Sequence, residues 1–421
     1  MGGMSATLLA CVWLALPGPV LEVGPGKPFA TIRAAVDAAS PGDTIRVFPA
    51  SGDGVYRQAA VAVDTPGLTI EAASGHVTLD GKGFEYSGIG RTPRAIFQAN
   101  PGATRLTIRG FELEHAHNSS HNGAGVRINQ ANDVTVSDCD IQANDMGIMS
   151  NGSDGKPGLG ARQMIEFCTI HGNGDRADPG YSHNLYLGGE SVTVRHCEIY
   201  GSLTGHNLKS RAHFNLIEFN YIHDSANREI DLVDDKETSR ANSNAVLIGN
   251  LIVKDPECVG NRGVIHFGED VGGTHNGTIF LIHNTIVTPF LSGVLTLSSA
   301  EARAVLRDDV VYNAEQHAAD LVSVLHGASL LNVSGSQNWI SSCYRLDGTQ
   351  MEASEQDSQT DLKFVDFSGH DYRVTGGPFE LGPMPSYTDG SGRAVAMPAL
   401  EEPGLRRSAV MGGSIGALDG Q

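Results

Sequence analysis

The 421-residue sequence predicts an all-β chain wound as a right-handed parallel β-helix, a single-stranded solenoid with an N-terminal capping helix. Three observations predict it. One short pattern returns six times between Val134 and Val287, its apolar residues alternate with the period of a strand, and turn formers separate the copies.

In register, the copies read Val134-x-Val136-x-x-Cys139-x-Ile141, Ile165-x-x-Cys168-x-Ile170, Val192-x-Val194-x-x-Cys197-x-Ile199, Leu216-x-x-x-Asn220-x-Ile222, Val246-x-Ile248-x-Asn250-x-Ile252 and Ile279-x-Leu281-x-x-Asn284-x-Ile286. The markers Cys139, Cys168, Cys197, Asn220, Asn250 and Asn284 are 29, 29, 23, 30 and 34 residues apart, a period that belongs to solenoids and propellers. Each copy is expected to supply one strand. Turn formers such as His171-Gly172-Asn173-Gly174 follow, and then a second alternating run: Met146 to Met149, Asn184 to Leu187, Asn207 to Lys209, Glu229 to Leu232, Val264 to Phe267, Val294 to Leu297. Two or three strands per turn with no helix between them fit a parallel β-helix, and the crossover preference makes it right-handed. Rungs stacked about 4.8 Å apart put Ile141, Ile170, Ile199, Ile222, Ile252 and Ile286 in one inward ladder. The markers form another, with Cys as small buried hydrophobes and Asn satisfying backbone groups at a turn.

A net charge of −19 argues against a nucleic-acid partner, whereas an acidic polysaccharide would need a local basic groove. Residues 1–20 read as a signal peptide: Ser5 to Leu16 is apolar, too short to span a bilayer, and followed by Pro17-Gly18-Pro19. A misassigned start is the alternative. Leu8-Leu9-Ala10-Cys11 also resembles a lipobox, but the apolar run continues past the cysteine. Secretion or a periplasmic location, a monomer and no transmembrane segment follow. Six cysteines, three of them in the interior ladder, do not make a disulfide scaffold; Cys258 with Cys343 is the one pair left open.

Residues 21–50 form the cap and first rung. Thr31 to Ala39 places Ile32, Ala35, Val36 and Ala39 on one helical face, Pro41-Gly42-Asp43 stops it, and Thr44 to Phe48 is the first strand. This stretch, GPGKPFATIRAAVDAASPGDTIRVFP, resembles the cap and first rung of secreted right-handed β-helix proteins of the pectate-lyase-like superfamily. Residues 51–385 are the coil, with early rungs at Leu68 to Ile70, Val77 to Leu79, Ala95 to Phe97 and Leu106 to Ile108. Residues 386–421 are a C-terminal tail and closing segment. Asp361 to Gly382 and the terminal GGSIGALDG resemble the superfamily's closing rung, and Ser354 to Thr360 reads as a polar surface loop.

If Leu185, Leu208, Ile230 and Ile265 point inward, their neighbours Tyr186, Lys209, Asp231 and His266 stack outward, with Arg127 some rungs earlier. Asn184, Asn207 and Glu229 make a parallel outward column, and Arg211 begins a third. His183 and His206 precede the strands, either bonded to a turn carbonyl or orienting Tyr186 and Lys209. Singly, each residue suits a solvated face; together they make a coupled ionisable set.

Such a set suits β-elimination on a uronate polymer, which needs a neutralised carboxylate, a base for the C5 proton and an acid for the leaving O4. Lys209 is the expected base, Tyr186 or His266 the acid, and Arg211 or Arg228 the carboxylate clamp. Arg127, Asn184, Asn207, His183 and His206 are the expected substrate contacts. Glu229 and Asp231, with Asn207, are candidates for calcium; alternatively they pair with Lys209 and keep it protonated. No cofactor is otherwise required, and no spacing in Asp234-Asp235-Lys236 or His115 to His121 matches structural zinc.

Lys209-Ser210 resembles the catalytic Lys-Ser segment of the chondroitinase B and alginate lyase family, which implies Lys209 as base and an Arg further on as acid, near Arg228. Ser202 and Thr204 stand where that family carries acidic calcium ligands. Other readings remain open. An inverting glycoside hydrolase would use Glu229 and Asp231, about 6 to 7 Å apart on a strand. A uronan C5-epimerase or a non-catalytic polysaccharide-binding solenoid would use the same face.

Overall fold

The computed structural model describes residues 18–152, 154–178, 181–290, 292–314, 318–351, 362–375, 386–405 and 417. Three long parallel sheets line a right-handed β-helix. Sheet I has 13 strands from Val20–Val23 to Gln350–Met351, sheet II has 11 from Tyr56–Arg57 to Trp339–Ile340, and sheet III has 10 from Val61–Val63 to Val322–Val324. The expected isoleucine ladder runs in direct register down sheet II, from Ile141 through Ile170, Ile199, Ile222 and Ile252 to Ile286, and is fully buried.

Each repeat copy proves to be two strands. Val134 to Ile141, for example, breaks into Thr135–Ser137 of sheet I and Asp140–Gln142 of sheet II. The break is a left-handed residue just before each marker: Asp138, Phe167, His196, Phe219, Gly249 and His283 all have φ between 50° and 60°. Apart from the glycine, that conformation costs about 1 kcal/mol or more each. The marker ladder offsets it. Asn250 Oδ1 accepts from Asn220 N at 3.0 Å, while its Nδ2 donates to Ile217 O at 2.8 Å, so one amide satisfies both backbone groups at the corner of the preceding rung.

The cap helix spans Ile32–Ala38, with Thr31 Oγ1 accepting from Ala34 N and Ile32, Ala35 and Val36 buried over the open end of the core. Of the closing rung expected at Asp361 to Gly382, the described residues 362–375 form no parallel strand. Lys363–Asp366 and Asp371–Thr375 are instead an antiparallel hairpin whose Phe364 and Tyr372 lie on Val253, Val287 and Tyr312 of sheet II. A second hairpin, Ser386–Thr388 with Ala394–Ala396, lays Tyr387 and Val395 on Phe219, Val246 and Ile282 at sheet I. Both cover apolar outer faces that water would otherwise meet. Neither apolar cluster includes sheet III.

Cys258 and Cys343 are free. Cys258 follows the sheet II strand Leu251–Val253, and Cys343 follows a strand three rungs later, about 14 Å along the coil, well beyond disulfide reach. Residues 1–17 of the expected signal peptide (residues 1–20), the 354–360 loop and most of the terminal GGSIGALDG lie outside the described residues. Among those described, no helix is long and apolar enough to cross a membrane.

Candidate active site

Register assembles the site. On sheet III, Leu185, Leu208, Ile230 and Ile265 are fully buried and aligned, and between them Tyr186, Lys209, Asp231 and His266 are direct strand neighbours. The column continues through Met149 and Arg127 on one side and Thr296 on the other.

Asp231 is its hub. The carboxylate meets His266 Nδ1 at 2.9 Å, Lys209 Nζ at 3.2 Å, His206 Nε2 at 3.3 Å and Arg228 Nη1 at 3.3 Å. Burial alone would push its carboxyl up, but His206, His266 and Lys209 hold it well below the usual range. Lys209 also pairs with Asp270 at 2.9 Å, so two carboxylates flank the ammonium. Asp270 belongs to the turn after Ile265–Gly268, and Asp234 pins that turn by accepting from the N–H groups of Asp270, Val271 and Gly273.

Arg211, two residues beyond Lys209, bonds Asp270 Oδ2 at 2.6 Å and the carbonyl of Asp234, and its Nε donates to Tyr186 Oη at 3.0 Å. Because that oxygen accepts from a cation, the phenol proton points elsewhere and charge developing on the oxygen is stabilised. Tyr186, Arg211, Met149 and Asn151 line a cavity of about 300 Å³ on the wall. A larger one, about 700 Å³, adjoins it at Asn151 and contains Arg127.

His266 sits between Asp231 and Ser298, whose Oγ lies 2.6 Å from Nε2. The order carboxylate, imidazole, hydroxyl is that of a nucleophilic triad, yet Ser298 is 1% exposed and its oxygen accepts from Glu269 N at 2.7 Å. It locks the ring and has no path to a substrate.

Several expected contacts lie elsewhere. Asn184, Asn207 and Glu229 do not face outward; they are wholly buried in a second corner ladder, Asn144 to Asn173 to Asn184 to Asn207 to Glu229, linked side chain to side chain at 2.6 to 3.0 Å. Strand alternation stops at the corner, where the backbone turns these side chains inside. Neither Asn184 nor Asn207 can touch a polymer. Glu229 pairs with the equally buried Lys254 at 3.4 Å, and burial pushes its carboxyl up to about 7 against that pairing. Glu229 and Asp231 therefore serve separate networks and do not converge as calcium ligands or as a hydrolase pair. Carboxylate and imidazole atoms do converge at Asp80, Glu114 and His115, on sheet II.

His183 and His206 stack at 5.2 Å, with His206 N donating to His183 Nδ1 at 2.9 Å. Both are buried, which pushes the His206 imidazole down to about 4 despite Asp231 and the His183 imidazole well below its usual range. They support Asp231 from behind. The sequence reading gave no role to Asp270, Asp234 or Ser298, whose one signal was a polar residue at or just past the end of a strand.

No family model and no curated protein sequence matches the chain. Among solved structures, it is similar to pectate lyase Pel9A at 13% identity, covering 96% of this chain and 97% of that one with a TM-score of 0.49. It is also similar to pectin methylesterase PemA from Erwinia chrysanthemi at 10% identity, covering 72% and 92% with a TM-score of 0.36. These likenesses concern the winding of the chain and transfer no site residue.

Proposed function

We propose that the outer wall of sheet III is the active site of a secreted or periplasmic polysaccharide lyase that cleaves a uronic-acid-containing polymer by β-elimination. The observation that carries this reading is the contact of Arg211 Nε with Tyr186 Oη beside Lys209, at the floor of an open trough. Tyr186 is the group suited to take the C5 proton once its own phenol proton has passed to solvent, because the Arg211 guanidinium backs the resulting phenolate. Lys209, held between Asp231 and Asp270, is better suited to donating a proton to the leaving O4 than to serving as base. Arg211 supplies positive charge for the sugar carboxylate. His266 and Arg228 act through Asp231. The hydrolase reading loses support because Glu229 is enclosed in the corner ladder.

Alginate, pectate and glycosaminoglycans form the substrate panel. Cleavage should generate an unsaturated product that absorbs in the near ultraviolet, and Lys209→Ala should slow it about a hundredfold. Reducing ends without that absorbance, or wild-type rates in Lys209→Ala, would sink the assignment.

A further inference from the structure

Arg127 presents a charge problem that the folded chain does not solve. The residue is 8% exposed, and its partners are all neutral: Asn129 Oδ1 at 3.1 Å, Asn151 Oδ1 at 2.9 Å and Met149 Sδ at 2.9 Å. Among the described residues no carboxylate pairs with it; of the two that line the same cavity, Asp37 is the partner of Arg33 and Asp64 makes no ion pair. Burial and the nearby Arg94 push the guanidinium down to about 10, the direction expected of a cation lacking an anion. A buried, uncompensated charge lowers stability and is retained where a ligand completes it.

Arithmetic on the guanidinium says what would complete it. Of its five N–H donors three are used, one each from Nε, Nη1 and Nη2, which leaves one donor on each terminal nitrogen. Two parallel donors match the two oxygens of a carboxylate. From Arg127 the strand register runs to Met149, Tyr186 and Lys209, three steps or about 14 Å along the coil.

We infer that Arg127 is a second carboxylate subsite, so that the polymer lies along the coil axis and carries its acid groups in an unbroken run of uronates. The identity of the anion rests on the polysaccharide reading above. The subsite binds a sugar that does not react, and it selects long uronate blocks over sparsely charged chains.

The test titrates hexamers and dimers of galacturonate and of mannuronate, and a carboxyl-reduced hexamer, into the full chain by calorimetry at low ionic strength. At least one uronate hexamer should bind and its reduced form should not. Arg127→Gln should weaken hexamer binding roughly tenfold to a hundredfold, as expected for lost charge-assisted hydrogen bonds, and leave dimer binding at the Lys209 end unchanged. Arg127→Lys should restore part of the affinity. The ligand-free Arg127→Gln protein should melt no lower than wild type, because an uncompensated buried charge has gone.

Failure of both hexamers to bind, or equal binding by Arg127→Gln, overturns the inference. A lower melting temperature with unchanged affinity would make Arg127 a strut and also overturn it. Hexamer binding that depends on Arg127 without turnover by wild type keeps the subsite and removes the lyase. Turnover with a KM that Arg127→Gln does not change keeps the lyase and removes the subsite.

Discussion

The marker ladder inside the coil and the column on the wall of sheet III are spaced by the same rungs and meet opposite demands. Inside, Asn220, Asn250 and Asn284 can repeat one residue, because an amide carries both donor and acceptor and each copy completes its neighbour. Outside, Tyr186, Lys209, Asp231 and His266 never repeat, since like charges about 5 Å apart repel and each group needs a partner unlike itself. Two aspartates make the contrast sharp. Asp309 stands in the inner ladder between Asn284 and Asn338, where burial first and the nearby Asp308 second push its carboxyl up to about 8 against the hydrogen bonds from Asn284. Asp231 is as deeply enclosed, yet its cationic neighbours hold it ionised. Enclosure does not decide charge; the sign of the neighbours does.

The largest expected effect tests whether the wall does chemistry. Tyr186→Phe should lower turnover about a hundredfold to ten-thousandfold in a steady-state assay, with an unchanged melt, because only the hydroxyl is lost. A rate near wild type would return the wall to the status of a solvated face. Asp231→Asn comes next. Removing the anion that Lys209 and Arg228 share weakens the pairing of two enclosed cations, so denaturant unfolding should show a loss of about 3 kcal/mol. Equal stability would mean the hub is not a hub.

The inner ladder supplies the smaller effects. Asn250→Ala strips partners from Asn220 N and Ile217 O and should cost about 2 to 3 kcal/mol without altering turnover. Asp309 should tilt the pH profile of stability. The folded state keeps a proton that the unfolded chain releases near pH 4, so the stabilisation is complete below that pH and is lost as pH rises through about 8. The slope should approach about 1.4 kcal/mol per pH unit and flatten in Asp309→Asn, as measured by urea unfolding across that window.

The wall column was legible because Leu185, Leu208 and Ile230 announce their parity and sheet register then aligns their neighbours. The corners were not. Nothing local marks His196 or Phe219 as left-handed, and the price of that conformation is covered by an amide on the next rung. For the same reason Asn184 and Asn207 looked like wall residues, although the chain turns just where they stand. Asp270 was out of reach altogether: it meets Lys209 across 61 positions through a turn that Asp234 closes.

By itself the sequence determined the winding of the chain, the isoleucine interior and the alignment of Tyr186, Lys209, Asp231 and His266, because apolar alternation is a local property that repeats with the rungs. Only the tertiary structure decided which polar groups are enclosed, which anion each cation meets, and that Arg127 meets none among the described residues. Those are matters of distance between chain segments, and local pattern carries no record of them.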